Sequence, residues 1–320
     1  MARIVVTGRI PADGLSMLHE AGHDVVAWDE TTPIPREELL RRVVGADAIV
    51  SLLTEKIDEE LLAAAGSQLR VVSNVAVGYN NIDVPACTAG NIKATNTPGV
   101  LTDATADIAM SLILMTTRRL SEGERIIRSG QPWQWGMFYL LGTSIQQRRL
   151  GIIGMGAIGA ATARRARAFG MTIAYSNRSA IAPELAAELQ CERLSMDELL
   201  ATSDIVSVHC PYSPQTHHLI GAEQLAAMKP TAHLINTARG PIVDEAALVR
   251  ALELGQLAGA GLDVFEKEPE VHAGLLDRED VVLLPHLGSA TIETRTAMAM
   301  LAASNTLAVL RGEPAPTPIN

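Results

Sequence analysis

Aromatic side chains, cysteines and positive charge are all scarce in this 320-residue sequence. Aromatics account for 3% of the residues although 48% are hydrophobic, so Ala, Val, Ile and Leu must form most of the interior. These residues are typical of parallel sheets covered by helices on both faces, which favours an α/β fold over an all-β fold. The chain is long enough for two domains, each with its own core.

The three cysteines, Cys87, Cys191 and Cys210, are far apart and show no CxxC spacing. Neither a disulfide framework nor a zinc site is therefore indicated, and a reducing cytoplasm fits the pattern. The adjacent His217 and His218 have no Cys or carboxylate at metal-ligand spacing in the sequence. We therefore expect them to be surface residues and expect no bound metal.

The net charge of −10 at pH 7 would repel a nucleic-acid backbone or an anionic lipid surface, and no block of Lys or Arg offsets it. We expect neither nucleic acid nor membrane as a partner. The first residues contain an apolar run of at most four residues, which predicts no signal peptide. The most apolar helical stretch, 108–115, is too short to span a bilayer. These features predict a cytoplasmic protein.

Short apolar strands alternate with helical stretches along the chain, in two βαβ series. The first series runs to about residue 99, a single long helix is predicted over 101–129, and the second series runs from 150 to 284. A last helix, over 291–310, is expected to return to the first domain. We therefore predict two doubly wound parallel-sheet domains of the Rossmann or flavodoxin-like type, with the active site in the cleft between them. The predicted domains are a substrate-binding domain, 1–99 plus 287–320, and a dinucleotide-binding Rossmann domain, 100–286.

A glycine loop, GMGAIG at 154–159, follows a predicted strand and opens a predicted helix, as a dinucleotide site requires. Gly154 permits a tight turn, Gly156 lets the backbone approach a pyrophosphate, and Gly159 allows close packing of helix on strand. The amides at the start of the helix would face the anion.

The predicted strand 172–175 continues into Ser176, Asn177, Arg178 and Ser179, where an NAD site normally has Asp or Glu. A carboxylate would repel a ribose 2′-phosphate, whereas Arg and two hydroxyl groups can bind one. This segment therefore predicts NADP(H) as the preferred cofactor, with NAD(H) as the alternative.

Three further segments place polar groups directly after predicted strands: NTARG at 236–240, LDVFEKEP at 262–269 and PHLGSAT at 285–291. Reduction of a 2-oxo acid needs a cation that binds the carboxylate and polarises the carbonyl, and an acid that protonates the nascent alkoxide. Arg239 suits the first role, and His286 suits the second because imidazole titrates near neutrality. Glu268 is the candidate carboxylate that orients the imidazole.

Together with VAVGYNNID at 75–83 and NTPGVLTD at 96–103, these motifs resemble the D-isomer-specific 2-hydroxyacid dehydrogenase family over essentially the whole chain. The resemblance is to its glyoxylate/hydroxypyruvate reductases in particular, and it implies that Arg239, Glu268 and His286 are catalytic. It also implies that Asp263 holds the nicotinamide carboxamide and that the amides of Val77 and Gly78 bind the substrate carboxylate. The other implied contacts are Leu53 and Ser289 at the substrate, and Ala157, Ile158, Pro211, Thr237, Ala238 and Gly288 at the cofactor.

Members of this family dimerise through the cofactor domain, so the resemblance implies a homodimer. Four of the ten aromatic side chains, Trp133, Trp135, Phe138 and Tyr139, lie in one segment. In the similar reductases this stretch reaches towards the active site of the partner subunit, while a packed dimer interface is the alternative role.

The function predicted from these residues is NADPH-dependent reduction of glyoxylate or hydroxypyruvate to glycolate or D-glycerate. A sugar-acid reductase acting on 2-ketogluconate is the alternative within the family. In a different functional class, the chain could be a non-catalytic cofactor-sensing protein like the corepressors that share this fold. The presence of Arg239, Glu268 and His286 together favours the enzyme.

Overall fold

The computed structural model describes residues 1–320 and contains two parallel sheets, each within its own structural unit. The first unit comprises Met1–Leu101 together with Ala290–Asn320, and the second comprises Thr102–Ser289. Two α/β domains with parallel sheets were expected from the sequence, and this fold class is confirmed.

The first unit is a five-stranded sheet with helices on both faces, and its strand order is β2-β1-β3-β4-β5. Its strands are β1 (Arg3–Val6), β2 (Asp24–Ala27), β3 (Ala48–Ser51), β4 (Val71–Asn74) and β5 (Lys93–Thr95). Its helices are α1 (Ala12–Glu20), α2 (Arg36–Arg42), α3 (Glu59–Ala65), α4 (Val84–Ala89) and the last helix of the chain, α13 (Ile292–Leu310). Every residue of β3 and β4 is buried, as expected for central strands that are covered on both faces.

The second unit is a seven-stranded sheet with the order β12-β11-β10-β9-β6-β7-β8. Its strands are β6 (Arg149–Ile153), β7 (Thr172–Ser176), β8 (Cys191–Arg193), β9 (Ile205–Val208), β10 (His233–Asn236), β11 (Gly259–Leu262) and β12 (Val281–Leu283). Its helices are α5 (Thr102–Thr117), α6 (Leu120–Arg128), α7 (Ala157–Ala168), α8 (Pro183–Leu189), α9 (Met196–Thr202), α10 (Ala222–Ala227), α11 (Glu245–Glu253) and α12 (Ala273–Leu276).

The order of strands in the second sheet reverses at β6, which pairs with β7 on one side and with β9 on the other. Ligands of open α/β sheets bind outside the carboxyl ends of the strands at such a switch point. All neighbouring strands in this sheet are parallel, so their carboxyl ends share one edge. The segments that follow β6, β7, β9, β10, β11 and β12 are therefore brought to the same edge of the sheet.

One predicted element is wrong, because the single helix expected over 101–129 is two helices in the structure. The helix α5 ends at Thr117 and α6 begins at Leu120, while Arg119 between them has a left-handed backbone with φ of +53°. No Gly or Pro stands at residues 118–119. Because Gly and Pro are the usual signals of a helix break, the helical pattern of the sequence continues across the junction and did not reveal it. None of the helices combines the length and apolar character needed to cross a lipid bilayer.

Candidate active site

The glycine loop links β6 to α7 and has the geometry that each of its glycines requires. Gly154 has a φ of +96°, and a Cβ atom there would lie 2.4 Å from the backbone nitrogen of Cys210. A Cβ on Gly159 would lie 2.5 Å from the carbonyl oxygen of Gly154. A Cβ on Gly156, in contrast, would have no atom within 4 Å, so the space beside this residue is open.

The amino-terminal end of α7 is available to an anion. Gly156 is the N-cap of this helix and supplies no side-chain cap, so the first-turn amides, including those of Ala157 and Ile158, have no capping side chain. Backbone amides at a helix N-terminus bind phosphate groups well. The open space at Gly156 and these amides together fit the pyrophosphate of a dinucleotide.

The segment after β7 lies beside the glycine loop and contains one cation, Arg178, while a second, Arg193, bonds it from β8. The side-chain oxygen of Asn177 accepts a 2.7 Å hydrogen bond from the backbone amide of Met155, which ties the two segments together. Arg193, in the neighbouring strand β8, donates from Nη2 to the carbonyl oxygens of Asn177 and Arg178 at 3.1 and 3.0 Å. Arg178 and Ser179 are exposed, and no carboxylate stands among residues 176–179.

Thr237 and Pro211 follow β10 and β9, at the same edge of the sheet as the glycine loop. The Thr237 hydroxyl is buried and has no hydrogen-bond partner in the protein. Buried hydroxyl groups are nearly always paired, so an unpaired one beside a ligand edge fits a contact with a bound molecule. The carbonyl of Pro211 accepts from the Thr216 hydroxyl at 2.9 Å, which fixes the turn after β9.

Arg239 is held in place by the backbone around it. The side-chain amide of Asn236 donates to the Arg239 carbonyl at 2.9 Å, and Arg239 Nη1 donates to the Ala238 carbonyl at 2.7 Å. The next residue, Gly240, packs so closely on the segment after β11 that a Cβ there would lie 1.8 Å from the Phe265 carbonyl carbon. Only glycine permits this approach, which brings the Arg239 segment against the segment that carries Glu268.

Glu268 and His286 are joined by a 2.7 Å hydrogen bond between Glu268 Oε2 and His286 Nδ1. The second carboxylate oxygen of Glu268 accepts from the Phe265 amide at 3.0 Å, so the carboxylate is fixed at both oxygens. The other imidazole nitrogen, Nε2, has no hydrogen-bond partner within the protein and is available to a substrate. This is the arrangement that a general acid or base requires.

The buried carboxylate of Asp263 holds the backbone that carries His286. Its two oxygens accept the amides of Leu287 at 2.6 Å and Gly288 at 2.8 Å, and its carbonyl accepts the His286 amide at 2.9 Å. His286 itself has a φ of +55°, which is a costly conformation for a residue with a side chain. Thr105 adds a 3.0 Å hydrogen bond from its hydroxyl to the Gly288 carbonyl.

The ionisable groups of this cluster influence one another. Burial lowers the pKa of the Arg239 guanidinium, and the charge of Glu268 opposes this effect. Burial also disfavours the ionised form of Glu268, but the hydrogen bond and charge of His286, the Phe265 amide and the Arg239 charge outweigh it, so the pKa of Glu268 lies below its ordinary value. Burial raises the pKa of the Asp263 carboxyl, although the two amides that it accepts oppose the rise.

In the first unit, the predicted substrate residues lie after β3 and β4, which are adjacent parallel strands. Leu53 is half-buried in the segment after β3, and Val77 and Gly78 are half-buried in the segment after β4. The amides of Val77 and Gly78 have no hydrogen-bond acceptor within the protein. Successive amides without an acceptor can bind a carboxylate. Ser289, the last residue of the second unit, is half-buried directly after Gly288.

His218, which we expected at the surface, is partly exposed and has two carboxylate neighbours. Its Nε2 lies 2.9 Å from Glu266 Oε1, and its Nδ1 lies 3.8 Å from Asp244 Oδ2. These three side chains are of metal-ligating type, and their ligand atoms lie within 4.8 Å of one another. The fold brings together carboxylates that are 26 and 48 residues away in sequence, so spacing along the chain could not reveal them.

Sequence reasoning missed Arg193 and Gly240 as contributors to the site. Arg193 is distant from the glycine loop in sequence, and only the pairing of Tyr175 with Arg193 across β7 and β8 places it there. Gly240 did have a signal, because a glycine directly after Arg239 indicates close backbone approach.

Comparison with known proteins supports the assignment of these motifs. Residues 110–288 match the family model described as D-isomer specific 2-hydroxyacid dehydrogenase, NAD binding domain. The chain is 46% identical to a glyoxylate reductase of Thermococcus onnurineus, over 99% of this chain and 96% of that protein. A crystal structure of a Thermus thermophilus protein superposes with a TM-score of 0.93 at 42% identity, over 99% of this chain and 100% of that one.

A further solved structure is an NADPH-dependent glyoxylate/hydroxypyruvate reductase from Sinorhizobium meliloti in complex with NADP and malonate. It has a TM-score of 0.87 and 37% identity, over 99% of this chain and 96% of that chain. The resemblance inferred from the motifs is therefore confirmed over the whole length. The chain belongs to the D-isomer specific 2-hydroxyacid dehydrogenase family, in its glyoxylate reductase branch, and is an NAD(P)-dependent D-2-hydroxyacid dehydrogenase.

Proposed function

We propose that the chain reduces a small 2-oxo acid, glyoxylate or hydroxypyruvate, to the D-2-hydroxy acid with NADPH as the preferred cofactor. The observation that carries this proposal is the 2.7 Å hydrogen bond from His286 to Glu268, which leaves His286 Nε2 available beside Arg239. The Thermococcus relative named as a glyoxylate reductase and the Sinorhizobium enzyme named for glyoxylate and hydroxypyruvate support the substrate class.

His286 serves as the proton donor in this proposal. When bound, the nicotinamide cofactor would supply the hydride for the carbonyl carbon of the 2-oxo acid. As negative charge develops on the carbonyl oxygen, the imidazolium of His286 donates its Nε2 proton, while Glu268 keeps the ring oriented through Nδ1. In the direction of alcohol oxidation, the neutral Nε2 accepts the same proton.

Arg239 and the amides of Val77 and Gly78 bind the substrate in this proposal. The guanidinium remains protonated and polarises the carbonyl while it pairs with the carboxylate. The two amides, which lack acceptors in the protein, are the proposed carboxylate-binding groups of the first unit. Leu53 and Ser289 line the substrate site, and the first unit acts as the substrate-binding domain.

The second unit acts as the cofactor-binding domain in this proposal. The glycine loop and the first-turn amides of α7 would hold the pyrophosphate, and the nicotinamide would be held by Thr237, Ala238, Asp263 and Gly288. The absence of a carboxylate after β7, together with Arg178 and Arg193, supports a 2′-phosphate on the adenosine ribose.

A steady-state assay of glyoxylate, hydroxypyruvate and 2-ketogluconate, each with NADPH and NADH, tests this function. We expect the highest kcat/KM for glyoxylate or hydroxypyruvate with NADPH. A higher value for 2-ketogluconate would instead assign the chain to sugar-acid reduction. Binding of NADPH without turnover of any of these acids would indicate a non-catalytic cofactor sensor and refute the proposal.

Replacement of His286 by Ala tests the proton donor. We expect kcat to fall by about 10²- to 10⁴-fold, because proton transfer to the alkoxide is lost. Glu268→Gln should cause a smaller fall, since the imidazole remains but loses its charged partner. The dissociation constant of NADPH, measured by fluorescence titration, should change little in both variants. An unchanged kcat in His286→Ala contradicts the assigned role.

The variants Arg178→Ala and Arg193→Ala test the cofactor preference. Each removes a cation next to the expected 2′-phosphate, so kcat/KM for NADPH should fall by about 10- to 100-fold while kcat/KM for NADH stays constant. Arg167→Ala is the matched control, because this half-buried arginine of the same unit instead bonds the Gln190 side chain and the Glu188 carbonyl. Equal effects on both cofactors, or a wild-type preference for NADH, would refute NADP selectivity.

We also propose that the chain forms a homodimer through the segment 133–141. Its apolar side chains are unusually exposed for their size, at 77% for Trp135 and 88% for Phe138. Apolar patches of this kind mark interaction surfaces. In sedimentation equilibrium, the wild type should be a dimer and Phe138→Asp a monomer. Leu254→Asp, at an apolar side chain that is 59% exposed elsewhere, should remain a dimer. A monomeric wild type would refute the proposal.

A further inference from the structure

The segment after β4 has its backbone carbonyls turned into the first unit. The Ala76 carbonyl accepts from the Thr97 amide at 2.8 Å, and the Val77 carbonyl accepts from the Asn96 side-chain amide at the same distance. The Gly78 carbonyl accepts from the Asn74 side-chain amide at 2.9 Å. Three successive carbonyls are therefore fixed by donors of the protein.

These bonds determine where the amides of Val77 and Gly78 point. The C=O and N–H of a trans peptide project to opposite sides of a planar unit, so fixing the carbonyl of one residue fixes the amide of the next. The bond from Asn96 to the Val77 carbonyl thus orients the Gly78 amide, and the bond from Thr97 to the Ala76 carbonyl orients the Val77 amide. Both amides are left without an acceptor in the protein.

Asn96 is itself anchored by the carboxyl-terminal part of the chain. Its carbonyl accepts from the Thr317 hydroxyl at 2.6 Å and from the Asn305 side-chain amide at 3.3 Å. The Asn305 side chain accepts in turn from the Thr317 amide at 2.9 Å. The Asn96 side-chain amide donates to the Val77 carbonyl, and the backbone of Asn96 is held in place by α13 and the last residues of the chain.

Two further asparagines, Asn74 and Asn81, link the segment after β4 to the segment after β3, which contains Leu53. Asn74 donates to the Asn81 side-chain oxygen at 3.0 Å as well as to the Gly78 carbonyl. Asn81 donates to the carbonyls of Leu52 at 3.0 Å and Glu55 at 3.1 Å. The segments after β3 and β4 are thus joined by one network of side-chain amides.

We propose that Asn96 is a positioning residue for substrate binding, because it holds the peptide whose N–H group, that of Gly78, binds the substrate carboxylate. This inference rests on the proposed function, in which the Val77 and Gly78 amides bind that carboxylate. Asn96 does not contact the substrate in this role. It acts through the orientation of one peptide, and it is half-exposed, so its replacement does not open a cavity in the core.

Two variants test this role. Asn96→Ala removes the donor, and Asn96→Asp replaces it with a carboxylate oxygen that repels the Val77 carbonyl. We expect kcat/KM for glyoxylate to fall by about 10- to 100-fold in Asn96→Ala, as when a hydrogen bond to a charged group is lost, and further in Asn96→Asp. The KM for NADPH should stay within about twofold of the wild type, because the cofactor contacts lie in the other unit.

Asn320→Ala is the matched control. The Asn320 side chain bonds the backbone of Ile92 and Ala94 near β5 and makes no bond to residues 75–80. The Asn320→Ala variant should lower the melting temperature at least as much as Asn96→Ala does, and it should leave the kcat/KM for glyoxylate unchanged. If both Asn96 variants keep the wild-type kcat/KM for glyoxylate, the positioning role of Asn96 is overturned.

Calorimetric titration with oxalate, a small dicarboxylate probe, separates this inference from the proposed function. If the wild type reduces no 2-oxo acid but binds oxalate, a weaker affinity in Asn96→Ala still supports the positioning role. Equal affinities in wild type and variant contradict that role, whatever the turnover shows. An oxalate affinity too weak to measure in the wild type also overturns it, because no carboxylate site then exists for Asn96 to position.

Discussion

The buried carboxylate of Asp263 holds the backbone on which the geometry of the active site depends. It accepts the two amides that follow His286, while its own carbonyl accepts the amide of His286. These bonds offset the cost of a left-handed backbone at His286, which is about 1–3 kcal/mol for a residue with a side chain. The conformation aims Nδ1 at Glu268, and Glu268 is in turn fixed by the Phe265 amide.

In the proposed function, backbone amides provide much of the capacity of this acidic chain to bind anions. The net charge of −10 excludes long-range attraction of anions, yet the ligands of this family are a dinucleotide and organic acids. The glycine loop and the Val77–Gly78 segment each follow a parallel strand and leave N–H groups without acceptors in the protein. In the same proposal, Arg239, Arg178 and Arg193 add positive charge at single positions, so the affinity for anions is confined to the strand ends.

Several features of the site could be predicted from the sequence because they depend on contiguous residues. The glycine loop is one, since its turn, its helix and its packing all lie within residues 154–159. The strand-end positions of Arg239, Glu268 and His286 are another, because short apolar runs followed by polar residues indicate strands that end at a ligand edge. The break at Arg119 escaped prediction because a non-glycine residue adopts the left-handed conformation there.

The sequence by itself determined the α/β class, the order of the elements and the residue types that could reduce a 2-oxo acid, since these follow from local periodicity and short motifs. Only the tertiary structure decided which groups meet. It gave the geometry of the Glu268–His286 contact, which the sequence had predicted only from residue types, and it placed Arg193 beside Arg178. It also set Asn96 against the Val77 carbonyl and His218 against Glu266. These contacts join residues on different strands and loops, and their distances depend on sheet order and on close backbone approach, as at Gly240, that no linear spacing encodes.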